Sequence, residues 1–190
     1  MKRSSTSKLR SFLTKEVEVV LGAGGMKGYG HIGALRELIA AGVRISMVTG
    51  VSVGTIVAAF LTNGYSPDEI LEAFEDAIKN TSSGSALLRA LSTMPDPISA
   101  SIGGIMDLYP GVQDMVKRYN LKPNPRLRIV ACDLMRHQPV VFEGEDYDLA
   151  HAIAASCSLP GLFRSQWHTG KDGIQLLVDG AVYHYNPTEF

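Results

Sequence analysis

Short apolar runs alternate with amphipathic segments along most of this chain. Residues 17–21 are rich in β-branched side chains and stop at Gly22, which predicts a buried strand. Apolar side chains then recur at helical spacing over residues 32–39, and Gly42 is a typical helix stop. The run at residues 45–49 predicts the next strand. The chain therefore begins with a strand, a helix and a second strand.

The same alternation continues through the rest of the chain. Ser66-Pro67-Asp68-Glu69 predicts a helix start, because it combines a capping serine, a proline at the first helical position and early acids. The remaining predicted elements are helices within residues 85–91 and over 112–119 and 149–156, and strands over 127–132, 138–142 and 176–178. Strands that alternate with helices predict one α/β layered domain with a mostly parallel sheet.

The sequence Gly50-Val51-Ser52-Val53-Gly54 lies between the second predicted strand and a predicted helix over residues 55–61. A G-x-S-x-G turn in this context holds its serine on a sharp corner, with the hydroxyl projecting from the sheet. The next backbone amide and the positive end of the helix dipole then face any negative charge that forms near the hydroxyl. Ser52 is therefore a candidate nucleophile.

Four glycines fall within residues 22–28, between the first strand and the first helix. A dinucleotide-binding fingerprint requires G-x-G-x-x-G and an acid at the end of the second strand; this spacing is off by one residue and that acid is missing. A tight turn that packs the helix on the sheet explains one or two of these glycines but poorly explains four. We favour an anion cradle in which the amides of Gly24, Gly25 and Met26 converge.

Asp179-Gly180 directly follows the last predicted strand. A carboxylate there lies on the sheet edge where open α/β sheets bind ligands, although Asp-Gly is also a common turn sequence. A nucleophilic serine usually has a histidine base, and His184 is the histidine closest behind Asp179. α/β-hydrolases normally separate the acid and the histidine by a long insertion, so these patterns leave the base unassigned.

Composition narrows the classes of function. At 190 residues the chain fits one domain, and its net charge of −1 argues against nucleic acid as the main partner. Cys132 and Cys157 make neither a disulfide framework nor a metal signature, which suits a reducing compartment. Acids and histidines lack ligand spacing, so no metal site is expected.

Residues 1–16 predict a flexible basic arm. Its basic residues are Lys2, Arg3, Lys8, Arg10 and Lys15. The arm lacks the apolar core of a signal peptide, and the longest apolar stretch, residues 51–61, is too short to cross a bilayer. We expect a cytoplasmic protein without a transmembrane segment, whose arm favours approach to an anionic lipid surface at the membrane periphery.

Together these motifs resemble those of the patatin-like phospholipase family. Gly24-Gly25-Met26-Lys27-Gly28 is similar to the family's G-G-x-[RK]-G loop, Gly50-Val51-Ser52-Val53-Gly54 to its nucleophile elbow, and Asp179-Gly180 to its D-G motif. Residues 31–35, the segment 154–163 and Asn186-Pro187 also resemble family segments. The correspondence covers about residues 17–187 in the same order, which makes the joint signal strong.

The resemblance implies a three-layer α/β/α fold in which residues 17–190 form the catalytic domain. It also implies a Ser52–Asp179 dyad without a histidine, in which Ser52 attacks an ester and Asp179 accepts its proton. The amides of Gly24, Gly25 and Met26 would hold the oxyanion, with Lys27 tying down their loop. No cofactor is implied. The chain ends soon after Asp179, so the domain is either minimal or incomplete at its C-terminus.

The expected function is therefore a lipid acyl hydrolase of the phospholipase A or lysophospholipase type, acting on phospholipid or another acyl lipid. Two alternatives stay open: an acyltransferase that uses the same serine, and a non-catalytic lipid-binding module. Apolar residues within 81–121 predict either a mobile cover over an acyl groove or ordinary core packing. Head-group preference and oligomeric state cannot be derived from these patterns.

Overall fold

The computed structural model describes residues 16–79, 106–171 and 173–190. The basic arm before residue 16, the predicted helix within residues 85–91 and most of the predicted cover lie outside these ranges. Residues 106–121 of that segment are described, and Met106 and Leu108 are among them. Leu108 is buried in the core, and Met106 forms a β-bridge with Phe163, so both contribute to core packing.

Six strands of the described residues form one mixed sheet. They are β1 (Glu16–Leu21), β2 (Arg44–Val51), β3 (Leu127–Asp133), β4 (Gln138–Phe142), β5 (Gln166–Gly170) and β6 (Gly173–Asp179). The first three strands are parallel neighbours, whereas β4 and β6 both pair antiparallel with β3, and β5 pairs antiparallel with β6. With the helices that flank this sheet, the predicted α/β class is confirmed.

Five helices of the described residues accompany the sheet. They are α1 (Gly28–Ala40), α2 (Val53–Thr62), α3 (Pro67–Lys79), α4 (Tyr109–Arg118) and α5 (Leu149–Ser156). The predicted cap at the start of α3 is a reciprocal one: the Ser66 amide donates to Glu69 Oε2 at 2.7 Å, and the Glu69 amide donates to Ser66 Oγ at 3.3 Å. No helix in the described ranges is both long and apolar enough to span a membrane.

Helix α2 is the centre of the hydrophobic core. Every residue from Val53 to Phe60 is buried, because the helix packs on β1, β2 and β3 and also touches α1, α3 and α5. A helix that is apolar on all its faces is stable only when it is enclosed in this way. The first turn of α2, which follows Ser52, is therefore rigidly held.

Strand β3 brings two distant strand ends together. Its residues Leu127–Val130 pair with the end of β2, and its residues Ala131–Asp133 pair with the end of β6. Because β4 occupies the opposite edge of β3 over Ile129–Asp133, β2 and β6 must share one edge. Their C-terminal ends therefore meet beside residues 130 and 131 of β3. As a result, the residue that follows Val51 lies near Asp179, the last residue of β6.

Strand β5 is not predicted by the sequence patterns. The strand alternates between exposed Trp167 and Thr169 and inward-facing Gln166 and His168. The inward-facing His168 ring stacks on the ring of His151, with 5.5 Å between their centroids. Because the inward-facing residues are polar, hydrophobicity alone does not show the strand's twofold period.

Candidate active site

Ser52 occupies the sharp corner between β2 and α2. Its backbone has φ of 54° and ψ of −128°, a conformation that residues other than glycine rarely adopt. The flanking glycines are required by close packing: a Cβ on Gly50 would lie 2.4 Å from Cα of Thr55, and a Cβ on Gly54 would lie 2.0 Å from the Leu21 carbonyl oxygen. This corner can therefore form only because both glycine positions of the G-x-S-x-G pattern lack a side chain.

Asp179 ends β6 and lies against Ser52. The Ser52 side chain interacts with the carboxyl group of Asp179, whose Oδ1 accepts the amide hydrogen of Ala181 at 2.9 Å. The two residues are 4% (Ser52) and 2% (Asp179) exposed, so this contact is almost wholly shielded from water. The next residue must be glycine, because a Cβ on Gly180 would lie 2.3 Å from the Val130 carbonyl oxygen.

The environment of Asp179 changes its acidity. Burial raises the pKa of Asp179 to about 6, although the Ala181 amide and the Ser52 hydroxyl both act in the opposite direction. An ordinary aspartate, with a pKa of about 3.9, is a feeble base towards a hydroxyl. The raised pKa strengthens the carboxylate as a base while leaving it mostly ionised at neutral pH.

The glycine loop between β1 and α1 lies over the start of α2. A Cβ on Gly28 would approach Val53 Cγ2 to 2.6 Å, and a Cβ on Gly54 would lie 2.9 Å from the Gly22 oxygen, so the loop touches α2 at both of its ends. Within the described part of the chain, the amides of Gly24, Gly25 and Met26 have no acceptor. These amides are therefore available to an anion beside Ser52.

Lys27 closes this loop through its main chain. Its amide donates to the Gly24 oxygen at 2.9 Å, within a short 3₁₀ turn over Gly25–Lys27, whereas its side chain is exposed. The resemblance assigns Lys27 the task of tying the loop down. In the structure that contact is made by the backbone amide.

Two hydrogen bonds fix the peptide plane at which the glycine loop begins. The carbonyl of Gly22 accepts a hydrogen bond from His31 Nε2 at 2.8 Å, and the amide of Ala23 donates to the Tyr185 carbonyl oxygen at 3.1 Å. Because a carbonyl only accepts, Nε2 of His31 must carry the proton. His31 thus sets the direction in which the loop starts.

Ser156 at the end of α5 forms three hydrogen bonds around the corner. Its Oγ donates to the Val130 oxygen at 2.7 Å, accepts the amide hydrogen of Ser52 at 3.0 Å, and lies 2.9 Å from Oγ1 of Thr55. The resemblance includes Ser156 only as part of a motif, without a role. A small serine in an alanine-rich helix gives no sequence signal for such contacts, because its partners are distant in the chain.

His184 does not complete a triad with Ser52 and Asp179. Its side chain is exposed, and its backbone amide donates to Gly180 in a turn. The Asp179 carboxyl group is engaged by Ser52 and Ala181 instead. The structure therefore brings the serine and the aspartate together, and the two ends of the glycine loop lie against Val53 and Gly54, which follow the serine.

The described residues contain no group of three or more histidines, cysteines or acids that could hold a metal ion. Cys132 and Cys157 are both free and buried, and burial raises the pKa of both thiols. Both thiols are therefore protonated and unreactive at neutral pH.

Comparison with known proteins gives one family. The family model described as patatin-like phospholipase matches residues 19–190. The uncharacterized protein YqhO of Bacillus subtilis (strain 168) is 28% identical over 189 residues, which cover 87% of this chain and 63% of that protein. A cUMP-AMP-activated phospholipase of Escherichia coli is 28% identical over 195 residues, covering 90% of this chain and 56% of the relative. The chain thus spans less than two thirds of either protein.

The crystal structure of VipD from Legionella pneumophila has a similar fold. The two structures superpose with a TM-score of 0.54 at 14% sequence identity, over 93% of this chain and 47% of VipD. At this level of identity the likeness concerns the fold alone.

Proposed function

Because this chain belongs to the patatin-like phospholipase family, we propose that it is a serine lipid acyl hydrolase of the phospholipase A or lysophospholipase type. Residues 17–190 are its catalytic domain, and its substrate is a phospholipid or another acyl lipid at a membrane surface. One observation carries the proposal: the Ser52 side chain interacts with the buried carboxyl group of Asp179 at a strained strand-to-helix corner.

In the first step, Ser52 Oγ attacks the carbonyl carbon of the ester. The hydroxyl proton passes to the Asp179 carboxylate as the new C–O bond forms. The pKa of Asp179, raised to about 6 by burial, makes this proton transfer less uphill than it would be for an exposed aspartate. No histidine is needed in this scheme, because the acid itself contacts the nucleophile.

The tetrahedral intermediate carries its negative charge on the former carbonyl oxygen. The amides of Gly24, Gly25 and Met26 donate to this oxyanion, together with the positive end of the α2 dipole. One preorganised donor of this kind is typically worth about 3 kcal/mol of transition-state stabilisation. These donors offset what the aspartate lacks as a base.

Collapse of the intermediate breaks the ester C–O bond, and the leaving alcohol takes the proton from Asp179. The product is an acyl-enzyme on Ser52. A water molecule then attacks the acyl carbonyl and gives its proton to Asp179, and the second collapse releases the fatty acid and returns the proton to Ser52.

A fluorophosphonate probe tests the proposal before any natural substrate is known. Ser52 should displace fluoride and form a covalent adduct that intact-mass measurement detects and peptide mapping assigns to residue 52. Ser52→Ala and Asp179→Asn should each abolish both labelling and hydrolysis of a short p-nitrophenyl ester. Full activity in either variant would falsify the mechanism, and lipid binding without any labelling would identify a binding module instead.

A further inference from the structure

We infer that Ser156 is a positioning residue that holds the Ser52 corner in its reactive conformation. The inference rests on the proposed role of Ser52 as nucleophile, since positioning has meaning only for a group that reacts. It is carried by a set of hydrogen bonds whose donors and acceptors can be assigned without ambiguity.

The Ser156 hydroxyl has one proton and two lone pairs, and the surrounding groups use all of them. Its proton goes to the carbonyl oxygen of Val130 at 2.7 Å, because that oxygen can only accept. One lone pair accepts the Ser52 amide hydrogen at 3.0 Å. The remaining lone pair faces Thr55 Oγ1 at 2.9 Å, so Thr55 must be the donor in that contact. The hydroxyl is therefore fully satisfied and has a single orientation.

These bonds connect three elements at the reactive corner. Val130 belongs to β3, which pairs with β2. Thr55 belongs to the first turn of α2, and Ser52 connects β2 to α2. The Ser156 side chain is completely buried, so water does not compete for its partners. With φ of 54° at Ser52, the corner lies in an unfavourable backbone region and needs external contacts to persist.

The contact between the Ser52 amide and Ser156 Oγ also determines which backbone amides can bind an oxyanion. Because the Ser52 amide is bound to Ser156, it is unavailable as an oxyanion donor. Removal of the Ser156 hydroxyl would free this amide and let the peptide rotate, which would turn the serine Oγ away from Asp179. Ser156 thus acts on the reaction through Ser52, without touching substrate.

The test compares Ser156→Ala with Tyr65→Phe in the full chain. The Tyr65 hydroxyl donates to the Tyr119 carbonyl oxygen at 2.8 Å, so both variants remove a hydroxyl that serves a backbone carbonyl. Tyr65 lies beyond the end of α2, about 15 Å along the helix from Ser52. Ser156→Ala should slow fluorophosphonate labelling of Ser52 by about 10- to 100-fold, whereas Tyr65→Phe should keep the wild-type rate.

Two further measurements distinguish positioning from a general loss of stability. With a short p-nitrophenyl ester, kcat of Ser156→Ala should fall by about the same factor as labelling, while KM stays nearly constant. Hydrogen exchange in peptides spanning residue 52 should accelerate, whereas exchange in β1 should not change. A Ser156→Cys variant, which keeps a weak donor and acceptor, should fall between Ser156→Ala and wild type, and it serves as the test if Ser156→Ala does not fold.

An unchanged labelling rate in Ser156→Ala, or in Ser156→Cys where Ser156→Ala does not fold, overturns the inference. Equal slowing in Tyr65→Phe also overturns it, because the effect would then be one of stability. A wild-type chain that is not labelled at Ser52 overturns the proposed function instead. In that case hydrogen exchange decides the corner contact by itself: unchanged exchange at residue 52 in Ser156→Ala refutes it.

Discussion

Two strand-to-helix corners lie side by side in this molecule, and they carry backbone strain in different ways. In the corner after β1, the positive φ of 53° falls on Gly25, whereas in the corner after β2, the positive φ of 54° falls on Ser52. A glycine adopts this conformation without penalty and leaves its amide open to approach. A serine does so at a cost, but it projects a hydroxyl group.

The supporting contacts differ accordingly. The entry of the first corner is fixed at one peptide plane by His31 and the Tyr185 carbonyl, and no acceptor among the described residues binds the amides of Gly24, Gly25 and Met26. In the second corner, Ser156 binds the amide of the strained residue itself. A corner that presents main-chain donors is thus held at its entry and by one backbone bond within its turn, whereas a corner that presents a side chain is held at the strained residue itself.

The largest expected effect concerns the packing of the second corner. Gly54→Ala would place a Cβ 2.0 Å from the Leu21 carbonyl oxygen, so β1 and α2 would have to separate. We expect a loss of about 3 kcal/mol or more in the free energy of unfolding, measured by urea denaturation.

Gly33→Ala in α1 is the matched control. A Cβ at Gly33 meets no atom within 4 Å, so this variant should be neutral or more stable by up to about 1 kcal/mol. Similar stabilities for the two alanine variants would show that the second corner is not tightly packed.

The entry of the first corner gives the next largest effect. His31→Leu removes the donor to the Gly22 carbonyl, which should let the glycine loop reorient and lower kcat for a p-nitrophenyl ester by about 10- to 100-fold. His31→Gln keeps an N–H donor and should recover most of the activity. An equal loss in both variants would mean that the hydrogen bond does not orient the loop.

The pH dependence of kcat/KM reports on the Ser52 corner, because the Asp179 carboxyl group beside it titrates whereas the backbone amides of the glycine loop do not. Because burial raises the pKa of Asp179 to about 6, kcat/KM should rise with pH up to about 6 and then level off, with an increase of about tenfold between pH 5 and 7. A rise centred near pH 4 would contradict a buried base.

The raised pKa of Asp179 also makes the free energy of unfolding depend on pH. Since the folded pKa of Asp179, about 6, exceeds the ordinary value of 3.8, this residue stabilises the fold below the lower value and loses that contribution as pH rises through about 6. Compared with Asp179→Asn, the wild type should therefore gain relative stability on acidification, in chemical denaturation measured at several pH values.

The smallest effect measures the strain at Ser52. Both Ser52→Gly and Ser52→Ala remove the hydroxyl and should be inactive, but glycine accepts the local φ of 54°. We expect the glycine variant to be more stable than the alanine variant by about 1 kcal/mol, measured by thermal denaturation. The opposite order would place the strain elsewhere.

Elements with clear periodicity can be predicted closely from the sequence. The predicted helix over 149–156 matches α5 in the structure, and the strands predicted over 127–132 and 138–142 match β3 and β4, which form a hairpin. Strand β6 is predicted only over 176–178 because its first half is exposed and lacks an apolar run. Strand β5 is missed because its inward-facing residues are polar. Periodicity therefore reports burial against apolar neighbours and little else.

Some parts of the candidate site can also be predicted from the sequence, and others cannot. Its turns can be predicted, because close packing requires glycines at fixed offsets from Ser52 and Asp179 and these leave a local pattern. The roles of Ser156 and His31 cannot, because each makes one or a few hydrogen bonds to residues brought near by the fold. The catalytic roles of Ser52 and Asp179 stay predictions until the serine is labelled.

The end-to-end meeting of β2 and β6 along β3 has a consequence for biosynthesis. The β2–α2 corner is built from neighbouring residues and can form early, but Asp179 reaches it only after β6 has docked. Under the proposed mechanism, a nascent polypeptide on the ribosome carries an inert serine until nearly all of this sequence has been translated. Hydrolytic competence would then arise when β6 docks, which shields the cell's lipids from a partly folded chain.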